Sequence, residues 1–163
     1  MAASTVVKHL YDGTITVEDG TATPVSLTVP FTVGDFSVDA LMESQRDVQA
    51  YQTRGTLNSV RLAAVNFPSM SFSAQLADLS DATDGTLVDF CLKQGSYSAN
   101  ESTLADSDVY AIKATLSIDY DGASGEAAHT IVLDDVHVTV AIAEGEPDTV
   151  SISGTVYGAI TMT

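Results

Sequence analysis

From Val150 to the end of the chain, apolar and polar residues trade places at almost every step. Val150, Ile152, Gly154, Val156, Gly158, Ile160 and Met162 fall on one side, and Ser151, Ser153, Thr155, Tyr157, Ala159 and Thr161 on the other. A period of two is the mark of a strand with one buried face. The spacing therefore predicts a long closing strand over 150–162. The same alternation runs through Thr14–Glu18, Val25–Val33, Asp35–Asp39, Leu57–Val65 and Met70–Leu76. In the second of these, Val25, Leu27, Val29, Phe31 and Val33 are expected to point inward, with Phe36, Phe72 and Phe90 also needed inside. EDGT at Glu18–Thr21 reads as a turn, with Gly20 available for a positive φ.

The second half repeats the pattern at greater length. Ile112, Ala114, Leu116, Ile118 and Tyr120 alternate with polar residues, DGASGEA supplies a turn, and Thr130–Ala143 follows. Within that last run the apolar phase switches from odd positions (Ile131, Leu133) to even ones (Val136, Val138, Val140, Ile142). One extra residue at Asp134-Asp135 accounts for this, so a β-bulge is predicted there. A bulge of this kind suits a sandwich or barrel better than a flat sheet.

One segment, DATDGTLVDFCLKQG, has helical spacing, with Leu87, Val88, Phe90, Cys91 and Leu92 as its apolar stripe. The helix is expected at about 84–94, capped by Thr83 or Asp84, echoing a capping box in Thr86 and Asp89, and stopped by Gly95. Cys91 on that stripe reads as a packed core thiol. Over about 40–56, neither period is clean from Ala40 to Tyr51. That stretch reads as an arm leaving the core, and Arg46, Arg54 and Arg61 put three of the six basic residues in or just beyond it.

Composition narrows the function classes. At 163 residues the chain suits a single domain over 1–163 that buries roughly 70% of its unfolded surface. One cysteine cannot form an internal disulfide. The opening MAASTVVKHLYDG lacks the basic and apolar regions of a signal peptide, and no apolar run approaches the ~20 residues that span a bilayer. A soluble, unprocessed chain without membrane partners is expected. The 22 acidic against 6 basic residues give a net charge of −16, which repels DNA and anionic membranes. Yet charged residues are only 17% and hydrophobic ones 45%, the balance of a folded body and not of an acidic tail.

Catalytic signals are poor. His9, His129 and His137 are scattered, and His137 alternates with Val136 and Val138, which points it outward. No Gly-x-Ser-x-Gly elbow or phosphate loop occurs. Asp78, Asp81 and Asp84 are spaced by three, unlike the alternate-residue ligands of an EF-hand. Asn100-Glu101-Ser102 matches a glycosylation acceptor, which matters only in a secreted chain. No enzyme, cofactor or metal is expected. A strand as long and apolar as Val150–Met162 must be paired or covered, and pairing between identical copies would close such edges into a ring.

In order along the chain, the DGTITVEDGT hairpin, the arm ending VQAYQTRGTLNSVR, the TLVDFCLKQG helix and the final HTIVLDDVHVTVAIAEGEPDTVSISGTVYG hairpin resemble the major tail proteins, the tail tube subunits of long-tailed bacteriophages and gene transfer agents. The resemblance spans nearly the whole chain. It implies a mainly β, sandwich or barrel fold of tail-tube type with a short flanking helix. It also implies hexameric rings of the chain with itself, stacked as a hollow tube in the virion tail, assembled in the host cytoplasm and joined to other tail proteins. On the same resemblance, double-stranded DNA is expected to pass through without specific binding. Arg46, Arg54, Arg61 and Tyr51 are then candidates for contact between subunits, and Asp119, Asp134, Asp135 and Glu144 for an acidic lumen lining. The alternatives are a capsid decoration or tail completion protein, or a carbohydrate-binding adhesin sandwich. Against the last stands the absence of Trp, since sugar platforms rely on exposed aromatics.

Overall fold

The computed structural model describes residues 13–39, 45–81, 83–118 and 128–163. Along them run β1 (Gly13–Glu18), β2 (Ser26–Thr28), β3 (Ser37–Asp39), β4 (Gln45–Thr53), β5 (Thr56–Asn66), β6 (Ser69–Gln75), α1 (Leu87–Leu92), β7 (Ile112–Ile118), β8 (His129–Ala143), β9 (Thr149–Val156) and β10 (Ile160–Met162). Eight strands form one antiparallel sheet in the order β2-β1-β7-β8-β9-β6-β3, with β10 beside β8, while β4 and β5 pair only with each other. The fold is thus mainly β with one short helix, as the alternation predicts.

Period two becomes burial directly. In β7, Ile112, Ala114, Leu116 and Ile118 are buried while the residues between them are half-open. Met70, Phe72 and Ala74 of β6 and Val150, Ile152 and Val156 of β9 behave alike. These side chains meet Ile15 and Val17 of β1, Leu133 and Val136 of β8, and Leu87, Phe90 and Cys91 of α1 in one core. Each large apolar side chain fully buried there stabilises the fold by about 1.5–3 kcal/mol.

The predicted bulge is present. Asp135 takes φ 53, and the registers on both sides of β8 slip there. From the Ala114–Leu133 pair to the Ile112–Val136 pair, β7 advances two residues and β8 three. From Leu133–Ile160 to Val136–Val156, β8 advances three and the β9–β10 segment four. Three adjacent strands therefore turn a corner with two, three and four residues, and β8 can belong to both halves of the sheet. The closing strand is accordingly not continuous. β9 ends at Val156, and residues 157–159 follow the corner, held by Tyr157 N–H to the Asp135 carbonyl (3.0 Å), Gly158 N–H to the Asp134 carbonyl (3.2 Å) and Asp134 N–H to the Ala159 carbonyl (3.0 Å). A Cβ on Gly158 would lie 2.7 Å from Asp135 Oδ2 and 2.8 Å from the Asp134 backbone. Nor is β9 an edge, because β8 and β6 flank it.

Val25–Val33 departs from expectation. Only Ser26–Thr28 form a strand; Leu27 and Val29 face the core, but Val25, Phe31 and Val33 are exposed, Phe31 by 67%. The cause lies at Pro30-Phe31, where Phe31 adopts φ 53 and inverts the alternation. Val29 N–H still donates to Ile15 of β1, whereas Val33 N–H donates to Ser73 of β6. The segment crosses from one side of the sheet to the other, and Thr32 stands opposite Ala74. Phe36, Phe72 and Phe90 do pack into or against the core. Gly20 does not have a positive φ; it is required because a Cβ would collide with the Ser102 carbonyl. Beside it, buried Asp19 accepts hydrogen bonds from Val25 N–H (2.7 Å) and Glu101 N–H (3.3 Å), tying this turn to the 100–103 loop.

The helix is shorter than 84–94. Thr86, not Thr83 or Asp84, is the N-cap, and its hydroxyl accepts the Asp89 N–H at 3.1 Å. Thr83 and Asp84 instead donate their N–H groups to the Asp81 carboxylate at 2.7 and 3.3 Å, which forms a turn ahead of the cap. Lys93 closes the helix with φ 55. Cys91 is buried as expected, and desolvation pushes its thiol up to about 12.

Candidate assembly surfaces

The arm is a two-stranded hairpin standing away from the main sheet. Arg54 (φ 50) and Gly55 (φ 81) form its turn. Two consecutive left-handed residues match the twist of antiparallel strands, and glycine meets that demand without strain. The stretch 45–53, which shows no clean alternation, is nonetheless strand: its described side chains are all exposed, so no buried face demands a period of two, and both register shifts place their extra residue in β5. Residues directly opposite each other share a face. Val48 with Leu62, Ala50 with Val60 and Gln52 with Leu57 therefore form one face, and Gln49 with Arg61 and Tyr51 with Ser59 the other. The first face is largely apolar and has no core beneath it: Val48 is 66% exposed, Leu62 63% and Leu57 58%. A two-stranded ribbon this open is marginal on its own.

The predicted contact residues all lie on this arm. Arg46 stands opposite Val65 near the base, Arg54 in the turn, and Arg61 opposite Gln49. Tyr51 donates its hydroxyl to Gln49 Oε1 at 3.1 Å. All four side chains are exposed.

A second surface extends the polar side of the closing strand, Ser151, Ser153 and Thr155, over its neighbours. Across β3, β6, β9 and the second half of β8, the positions facing away from the core are Ser37 and Asp39; Ser69, Ser71, Ser73 and Gln75; Thr149, Ser151, Ser153 and Thr155; and His137, Thr139, Ala141 and Ala143. Hydroxyls dominate, linked across strands by Ser37–Ser71 (2.9 Å) and Ser73–Ser151 (3.1 Å). No lysine or arginine is among them, and Asp39 is the one carboxylate. His137 faces outward as predicted, with Nδ1 3.0 Å from the Tyr110 carbonyl. Of the predicted lumen residues, Asp134 and Asp135 sit at the corner beginning this half of β8, and Glu144 follows its other end. They flank the hydroxyl face and do not cover it. Asp119 lies outside the described residues, as does His9.

At the end of β6 opposite the arm, a cleft of about 260 Å³ opens between Ala74–Asp78, Pro30, Val150 and the loop entering α1. Ala74, Leu87, Val88 and Val150 are buried apolar walls, and exposed Asp78 and Asp84 with half-buried Asp81 stand at its mouth. The Thr83 and Asp84 N–H groups hold the Asp81 carboxyl below the ordinary carboxylate range. Behind the loop, fully buried Asp89 accepts the Asp81 N–H at 3.0 Å through Oδ2. Among the described residues no cluster of three His, Cys, Asp or Glu could hold a metal, and no helix is long and apolar enough to cross a membrane.

No family model matches the chain, and no curated protein matches it. Solved structures do. A chain of the sheath–tube complex of the extracellular contractile injection system PVC, in its extended state, superposes with a TM-score of 0.58 at 14% identity over 99% of both chains. One from the tube-terminating cap of the anti-feeding prophage gives 0.57 at 13% identity, over 100% of this chain and 95% of that one. Another, from the anti-feeding prophage baseplate, gives 0.55 at 9% identity, over 100% and 97%. From end to end, this chain is similar in fold to proteins found in the sheath–tube, cap and baseplate assemblies of contractile injection systems.

Proposed function

We propose that the chain is a structural, non-enzymatic subunit of a tail tube, joining with identical copies into hexameric rings that stack around a channel. The observation that carries this reading is the β4–β5 arm, a hairpin whose apolar face is uncovered in the single chain. A contiguous exposed apolar face marks an interaction surface, and the fold similarity makes assembly into a tail the consistent answer. The hydroxyl face of β3, β6, β9 and β8 is the proposed channel wall. The bulk of α1 lies on the opposite, core side of β6 and β9, and in a closed ring the bulkier side takes the larger circumference. DNA carries one charge per ~1.7 Å of axis and is held by cations through counterion release. A wall without lysine or arginine, flanked by Asp134, Asp135 and Glu144, gives passing DNA no grip.

Similarity to a tube-terminating cap favours a second reading, in which the chain forms one ring that ends a tube. Negative-stain microscopy at rising protein concentration separates the two. Hollow rods of stacked rings are expected for a tube subunit and single rings for a terminator; closed shells, or monomers at every concentration, overturn both.

A further inference from the structure

We infer that the cleft at the end of β6 receives the β4–β5 arm of a second copy of this chain. The inference deepens the tube reading and rests on it for the partner. Two unsatisfied surfaces complement each other. At its tip the arm offers exposed Leu57, with Arg54 in the turn beside it. The cleft offers buried apolar walls with Asp78, Asp81 and Asp84 at the mouth. Its volume of about 260 Å³ is several times a water molecule's ~30 Å³ share, so side chains fit.

The arm of the same chain does not fill it, since Val48, Leu57 and Leu62 stay exposed. It joins β6 at Ser69, whereas the cleft begins at Ala74. At ~3.4 Å per residue the two lie roughly 17 Å apart along the strand, and the described residues of the hairpin pair with no strand of the main sheet. An arm and a separate receptor on the same chain make a heterologous, head-to-tail contact. Contacts of that type propagate into rings or open stacks and do not stop at a pair. The acidic mouth also supplies what the arm's guanidinium groups lack in a chain of net charge −16: a fixed register against a surface that otherwise repels copies of itself.

Photo-crosslinking tests this directly. With a benzophenone amino acid replacing Leu57, illuminated assemblies should yield crosslinked peptides joining the arm to 74–88 of another copy. A charge exchange gives an independent readout. Arg54→Glu and Asp84→Lys, each alone, should raise the concentration needed for pelletable assemblies about fivefold, and an equimolar mixture should restore it, because each variant's arm then meets a complementary cleft. Assemblies that crosslink elsewhere, or a mixture that does not recover, overturn this inference and leave the tube reading standing. A wild-type protein that never assembles overturns both.

Discussion

Replacing Gly158 by alanine probes the corner on which the sheet turns. The new Cβ would lie 2.7 Å from Asp135 Oδ2 and 2.8 Å from the Asp134 carbonyl carbon and oxygen. The carboxylate can swing away, but the backbone atoms cannot without moving β8. Overpacking of this kind costs about 1–3 kcal/mol. Relief requires the 157–159 segment to lift, which weakens the hydrogen bonds it exchanges with Asp134 and Asp135 at 3.0–3.2 Å, each worth about 1 kcal/mol net. The sum is about 2–4 kcal/mol. At roughly 2–4 °C per kcal/mol for a domain of this size, the melting temperature should fall by about 5–15 °C. Circular dichroism melts of Gly158→Ala and wild type measure it. A Gly158→Ala protein that melts with wild type would refute the account of the corner as a close backbone approach.

Further outcomes follow from other parts of the molecule. Thr86→Ala removes the N-cap acceptor of the Asp89 N–H and should cost about 1 kcal/mol, read as a lower urea midpoint at unchanged slope. Cys91, with its thiol raised to about 12, should resist maleimide at pH 8 in the folded protein and react once urea unfolds it; rapid labelling under native conditions contradicts the burial. Leu62→Ser on the open arm should leave the melting temperature within about 1 °C, as surface changes do, yet reduce pelletable assembly. Tubes carrying Ser153→Arg and Thr139→Arg should retain DNA at low salt and release it as salt rises, whereas wild-type tubes should not retain it; retention by wild type speaks against the proposed wall.

What the sequence makes legible follows from how each period is enforced. The β8 bulge is readable because both sides of it bury their apolar positions: Leu133 on one phase and Val136 on the next are each fully buried. Cys91 and the stripe of α1 are readable for the same reason, although the cap shifts to Thr86 because Asp81 engages the earlier N–H groups first. Where no core enforces the pattern, reading fails. The arm strands face water on both sides, so nothing requires apolar and polar residues to alternate along 45–53. Phe31 and Val33 keep an alternating spelling, but the crossing at Pro30 inverts which letters point inward. Of the hydroxyl face only the part in β9, Ser151, Ser153 and Thr155, is legible, because the rest is spread over three other strands distant in sequence. The acidic cleft mouth is spelled openly in Asp78, Asp81 and Asp84; only the fold sets it beside apolar walls.

The unequal lanes of the β7–β8–β9 bend have a consequence for how this chain tolerates changes in length. An added or deleted residue at 157–159 would slide β10 by one position along β8, and with a repeat of two every side chain would exchange places. After a deletion Thr161 would enter the space of Ile160, and after an addition Ala159 would. A residue gained in the surface excursion at 104–109 has no such lever, because neighbouring strands do not count against it. Relatives of different length should therefore vary in their excursions and preserve the sum of steps around the bend.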